Sequence, residues 1–345
     1  MYQDIRSRLR NHRRTVAAGS GVAVVLAAVT TWTLLQGQTA PPPTSMLRED
    51  EELPEDIPEL PADITYDERQ DVLPPMVALD AETAAELDAA FETLGYSWPP
   101  AGEVPAVSVS AFPPLDDLSV DERKALFFRA LLPMVLAENR IMRATRERVR
   151  MIFDQGEVAP ESRQARLLET LADRFRVEGG INSEAFRTEM LRRIDVVPVS
   201  MALAQAANES GWGRSRFTRE ANNLFGIWTW REERGLKPEQ RAADATHFVR
   251  IFRDLRASVR NYIYTINVGS AYDSLRRLRM RLRENGDGLS GLRLATGLVE
   301  YSERGEAYVE EIQGMIRSNG LHELGRLELV AVDAERLLEE TGVND

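Results

Sequence analysis

The chain has 345 residues, of which 43% are hydrophobic and 28% charged, with a formal net charge of −12 and no cysteine. That composition excludes a disulfide scaffold and a cysteine-bound metal centre, and the acidic balance argues against a nucleic-acid partner. His12, His247 and His322 show no metal-ligand spacing, and both a phosphate loop and a Gly-x-Ser-x-Gly elbow are missing, so no cofactor or metal is expected.

At the N-terminus, Arg6, Arg8, Arg10, Arg13 and Arg14 form a basic head, and residues 15–35 then run without a charge. A helix of that length spans about 30 Å, enough for a bilayer core. The flanking charge predicts a single-pass signal-anchor over 15–36, with residues 1–14 in the cytoplasm and the rest in the periplasm, held to the inner membrane. A cleaved signal peptide is the competing reading; the long head and long apolar run favour the anchor, and both export the bulk. Residues 37–76 are rich in proline. Between Glu49 and Asp71 there are eleven acids against the single base Arg69. Such a segment cannot bury a core and is expected to be a disordered, self-repelling spacer.

Residues 77–118 are expected to wrap irregularly around the next domain. Ala78–Leu94 reads as an amphipathic helix, followed by Pro99, Pro100, Pro105, Pro113 and Pro114, with a short strand at Val107–Val109. Ser119 and Glu122 form a capping box for a long helix to about Phe153, kinked at Pro133. A helix over Glu161–Phe175, a break at Gly179-Gly180 and a helix from Ser183 to Ile194 complete a helical shell.

The segment Val199–Trp230, VSMALAQAANESGWGRSRFTREANNLFGIWTW, follows. Pro198 suits a first helical turn, the alanines favour helix, and Gly211 and Gly213 stop it. Val199, Ala202, Leu203 and Ala206 trace one buried stripe, and Glu209 falls on the same stripe at the last turn. A carboxylate there is costly unless paired or protonated, which marks it as a candidate acid. Trp212, Phe217, Phe225, Trp228 and Trp230 crowd the same window. Their planes suit sugar rings, and their low polarity raises a neighbouring carboxyl's pKa. Asn222 and Asn223 can bond the loop backbone or a sugar.

Beyond Trp230, a polar stretch and a short strand around Phe248, Arg250 and Phe252 predict a small β lobe. Helices are expected over Ala257–Val268, Tyr272–Arg283, Leu289–Glu300 and Gly305–Ser318, with a loosely attached tail over 326–345. The basic run Arg276, Arg277, Arg279, Arg281 and Arg283 reads as a solvated helix face or a patch meeting acidic wall polymers.

The run AQAANESGWGRSRF…ANNLFGIW, with FRDLRASVRNYI at Phe252–Ile263 and YSERGEAYVEEI at Tyr301–Ile312, resembles glycoside hydrolase family 73, in its Bax-type subgroup. The likeness covers roughly residues 120–325. It implies a mainly α (α+β), lysozyme-like catalytic domain over 119–325 with a small β lobe. The implied activity is cleavage of peptidoglycan strands at β-1,4 bonds of N-acetylglucosamine, as an endo-β-N-acetylglucosaminidase. The family's acid maps onto Glu209. Asn208 stands where the family usually has Leu, a departure expected to leave the acid unaffected. Asp244 has about the spacing of the family's second acid, with Glu232, Glu233 and Glu239 as rivals, and Tyr301 and Tyr308 match late aromatic positions. The expected catalytic set is therefore Glu209, Asp244 and Tyr301, and the expected substrate contacts are Trp212, Asn223, Phe225, Trp228 and Tyr308. A second carboxylate, a carboxylate nucleophile or the substrate's own acetamido group remain open as the partner of Glu209. A lytic transglycosylase using the same acid and an inactive wall-binding scaffold are the alternative functions.

Overall fold

The computed structural model describes residues 66–67, 70–238, 246–302, 304–333 and 337. The expected basic head, membrane span and most of the acidic linker lie outside them, and among the described residues no helix is long and apolar enough to cross a membrane.

The described chain is mainly helical with short strands. Tyr66–Asp67 (β1) and Gln70–Asp71 (β2) pair antiparallel. The wrapping segment holds Val77–Leu79 (β3), Ala84–Thr93 (α1), Glu103–Pro105 (β4) and Val107–Val109 (β5). The strand at 107–109 falls where its apolar alternation places it, and it pairs in parallel with β3. The helix begins later than expected, because Thr83 caps it through a capping box with Glu86.

Val120–Asp154 (α2) is one 35-residue helix that continues through the buried Pro133. Ser119 accepts from the Glu122 N–H while the Glu122 carboxylate accepts from the Ser119 N–H, which satisfies two of the helix's orphan donors. Arg163–Phe175 (α3) and Glu184–Arg193 (α4) are capped by Ser162 and Ser183. Val199–Ser210 (α5) packs against α2 on one side and Glu306–Ser318 (α10) on another. Every residue from Met201 to Ala207 is buried, so α5 is a central helix covered all round, wider than the single stripe its sequence shows.

Arg216–Ala221 (α6) leads to the β lobe. There Phe248–Arg250 (β8) is the middle strand between Trp228–Thr229 (β6) and Gly235–Leu236 (β7), all antiparallel. Leu255–Val268 (α7) and Asp273–Glu284 (α8) follow. The expected helix over Leu289–Glu300 is shorter and tighter: Gly291–Leu294 (α9) passes into a 3-10 turn over Ala295–Leu298. Gly297 explains the tight approach there. A Cβ on it would stand 2.5 Å from the Leu275 Cα, so only glycine lets the two backbones pass. Glu328–Val330 (β9) pairs in parallel with β4, which joins the start of the expected tail to the wrapping segment.

The arginine run is only in part the solvated face expected: Arg277, Arg281 and Arg283 are exposed, but the other two are not. Arg276 and Arg279 are almost fully buried. Arg276 donates to the carbonyls of Ile266 and Gly269, and Arg279 to those of Arg192 and Val196 and to Asn267 Oδ1. These guanidiniums satisfy carbonyls left over at the ends of α4 and α7, where a helix presents its negative end. Arg277 is more than half exposed at its side chain and paired with Asp273.

Candidate active site

The motif around Glu209 is first of all a way of ending a helix. Gly211 takes the left-handed conformation at φ +56° and closes α5 by donating to the Ala207 carbonyl. Trp212 is left-handed too, at φ +62°, an uncommon place for a bulky residue. Gly213 continues at φ +80°, with the Leu115 side chain 3.1 Å from where a Cβ would stand. The Ser210 hydroxyl accepts from the Gly213 N–H at 2.9 Å and ties the turn. The Ser, the two Gly and the Trp thus fix a sharp exit immediately after Glu209, so that its side chain leaves the core on the last helical turn.

Glu209 is half-buried. Its Oε1 accepts from Tyr308 Oη at 2.9 Å and from Asn208 Nδ2 at 3.3 Å. Tyr308 Oη in turn accepts from Gln205 Nε2 at 2.9 Å, and Gln205 Oε1 accepts from Tyr262 Oη at 2.6 Å. Gln205 lies one turn before Glu209 on the same face of α5, so one tyrosine from α10 can touch both. Tyr262 stacks on Phe225 with ring centroids 4.0 Å apart, and Tyr301 packs between Tyr308 and Tyr272.

This setting decides the acid's titration. Burial dominates and lifts the Glu209 carboxyl to about 7; the bonds from Tyr308 and Asn208 pull it down, Glu311 pushes it up and Arg304 pulls it down. Arg304 and Glu311 form an ion pair beside it. Burial also raises Tyr262, Tyr272, Tyr301 and Tyr308 well above their ordinary values, with the Glu209 charge adding to it, so all four stay neutral hydroxyls. A carboxyl that is half protonated near neutrality, at a helix's negative end and among neutral donors, is equipped to give up a proton.

The structure brings together Glu209, Tyr301 and Tyr308 and supplies three partners the sequence did not single out: Gln205, Tyr262 and Tyr272. Tyr308, expected to meet substrate, spends its hydroxyl on the acid. Asn208, expected to be indifferent to the acid, bonds it. Other expected contacts sit elsewhere. Both N–H groups of Asn223 go to the carbonyls of Ile227 and Arg250, and its Oδ1 accepts from the Ile227 N–H, so it is a buried staple between the turn and β8 with nothing left for a sugar. Phe225 is fully buried under Tyr262 and offers no open platform. Trp212 packs edge-on against Phe127 and Phe128 of α2, with Lys124 Nζ 5.0 Å from its ring. Trp228, on β6, is half-buried and stacks on His247 at 3.6 Å. Glu232 and Glu233 are exposed on a 3-10 turn of the lobe. Asp244 and Glu239 lie outside the described residues.

Comparison with known proteins bears on this geometry. The profile of a glucosaminidase family, described as mannosyl-glycoprotein endo-beta-N-acetylglucosaminidase, matches residues 185–321, a span that holds Glu209 and all four tyrosines. Protein bax of Escherichia coli (strain K12) is 30% identical over 198 residues, which cover 57% of this chain and 70% of that protein. No solved structure gives a significant match.

Proposed function

The chain belongs to the Bax-type glucosaminidase family, and from that premise we propose that it cleaves peptidoglycan at the β-1,4 bond following N-acetylglucosamine, with Glu209 as the general acid. The observation that carries the reading is the half-buried Glu209 carboxyl at the end of α5, held by Tyr308 and Asn208 within its tyrosine cage, a setting that lifts it to about 7. Cleavage of a glycosidic bond needs a proton at the leaving oxygen, and this group holds one near neutral pH. Asp244 and the Tyr301 hydroxyl are the proposed groups assisting at the anomeric carbon. The apolar run at 15–36 is proposed to tether the domain to the inner membrane, with the acidic linker spanning towards the wall.

Digestion of purified peptidoglycan followed by mass spectrometry of the fragments tests the bond. The expected fragments end in reducing N-acetylglucosamine. A 1,6-anhydro end marks a lytic transglycosylase using the same acid, and a reducing N-acetylmuramic acid end overturns the bond assignment.

The pH profile tests the acid. The protonated form is active, so the rate should fall as pH rises through about 7. Tyr308 donates to the carboxylate and favours its ionised form. Tyr308→Phe is therefore expected to move that falling limb upward by about one pH unit while lowering the rate at its optimum. A downward shift would contradict the assigned direction of the bond.

A further inference from the structure

Gln205 is fully buried on a helix of small apolar residues, where an amide is costly unless every polar atom is used. It is used on both sides, by Tyr262 at 2.6 Å and Tyr308 at 2.9 Å. A glutamine between two hydroxyls can in principle sit either way round, since each hydroxyl can donate or accept. The two orientations differ in what they do to Glu209. With Oε1 toward Tyr262, the amide N–H donates to Tyr308, and the Tyr308 hydrogen points at Glu209 Oε1. With the amide reversed, Tyr308 must donate to Gln205, and its oxygen is left to accept a proton from Glu209 Oε1.

Tyr262 breaks the tie. Among the described residues its hydroxyl has one acceptor, Gln205 Oε1. Its ring is fixed by the stack on Phe225. Reversing the amide would leave a buried O–H hydrogen with no acceptor, which the interior penalises. The chain of bonds therefore runs one way, from Tyr262 through Gln205 and Tyr308 to Glu209. At its end Oε1 accepts twice, from Tyr308 and Asn208, while Oε2 has no partner among the described residues.

We propose that Gln205, pinned by Tyr262, is a positioning residue that turns the Tyr308 hydroxyl onto Glu209 Oε1 and so consigns the transferable proton to Oε2. The inference rests on Glu209 being the general acid, and it says which oxygen delivers the proton and what decides it. The charged and titratable groups facing that carboxyl are Tyr262 from α7, Tyr272 after it, Arg304 and Tyr301 from the loop before α10, and Tyr308 and Glu311 on α10. The tyrosines stay neutral and Arg304 is paired with Glu311, so loss of the relay is the change that a Gln205 variant imposes on the acid.

The test is a pH–rate series on the full chain, with peptidoglycan as substrate, for wild type, Gln205→Met and Tyr262→Phe. Gln205→Met keeps the side chain's length and removes both bonds. Tyr262→Phe keeps every bond to Glu209 and removes only the pin. Both are expected to lower kcat roughly tenfold with little change in KM. Both are expected to move the falling limb up by roughly half a unit, less than Tyr308→Phe, because the donor to the carboxylate is weakened or turned away without being deleted. Thermal melting checks folding. A kcat loss with an unmoved limb in both folded variants would show Gln205 to be packing alone and overturns the proposal. Equal activity of Glu209→Gln and wild type would overturn the underlying reading of the acid, a separate outcome.

Discussion

Glu209→Gln is expected to lower the rate of peptidoglycan cleavage by about 10³-fold or more, the scale on which a general acid contributes. The substitution is nearly isosteric. Its amide oxygen can still accept from Tyr308 and Asn208, so the cage of Gln205, Tyr262 and Tyr308 should stand. What disappears is the one proton whose affinity burial has tuned to about 7. A second readout follows from the same burial. Glu209 titrates higher in the folded chain than its ordinary 4.5, so the folded state holds this proton more tightly than the unfolded state. The stability it lends is therefore complete below about 4.5 and is lost as pH rises through about 7. An amide carries no charge to bury. Glu209→Gln should then melt at a higher temperature than wild type at pH 8, with the gap closing at pH 5. Inactivity with raised stability at pH 8 is the signature of an acid held at a cost in its site. Clearing of a peptidoglycan zymogram equal to wild type would sink the assignment.

The unusual setting of the Glu209 carboxyl was legible from the sequence because it breaks a pattern. A Glu seven residues after Ala202 and three after Ala206 sits on a buried stripe, and two glycines end the helix right behind it. The middle strand of the β lobe was legible because its cue is local, although Phe248, Val249 and Arg250 are all buried and show no alternation of faces. The cage was not, because its bonds join residues 57, 99 and 103 positions apart. Gln205 did leave a trace, as the one polar side chain in an alanine-rich turn on the Glu209 face. Residue type misled where chemistry is bivalent. Phe225 and Asn223 look equally like sugar contacts and internal struts, and only the fold shows them spent on Tyr262 and on the backbone. The arginines of α8 misled more strongly. Arg276, Arg279 and Arg283 recur at helical spacing on one side, but a guanidinium reads as solvent-facing until its partners are known.

Two of these arginines, Arg279 and Arg283, meet at Asp195, and Asp195→Asn is expected to destabilise the domain by about 3–5 kcal/mol, the usual consequence of removing one side of a buried ion cluster. Asp195 is 2% exposed and Arg279 1%. Arg283 grips both carboxylate oxygens at 2.6 Å, while Arg146 and Arg279 stand 3.6 and 3.7 Å from Oδ2. Burial works to raise this carboxyl, but Arg279, Arg283 and Arg146 outweigh it and hold it below the usual carboxylate range. Arg279 pays for its own burial with a titration lowered to about 10, Asp195 opposing that fall. An asparagine keeps the shape and strands the guanidinium charge inside. The pH dependence has the opposite sign to that of Glu209. A carboxyl depressed in the folded state lends stability above its ordinary 3.8 and loses it as pH falls below that. Denaturant melts of Asp195→Asn and wild type should therefore differ fully from pH 5 upward and converge only in stronger acid. The consequence reaches the site. Asp195 begins the segment that leads into α5, its carbonyl is held by Asn267 Nδ2, and Arg279 grips the carbonyl of Val196, just before Pro198 opens the helix. Loosening that start shifts the rod whose far end carries Glu209. Asp195→Asn should consequently lose activity on heating well before wild type, with an unaltered pH limb while it remains folded. A limb displaced at low temperature would mean that the cluster tunes the acid electrostatically as well as holding up its helix.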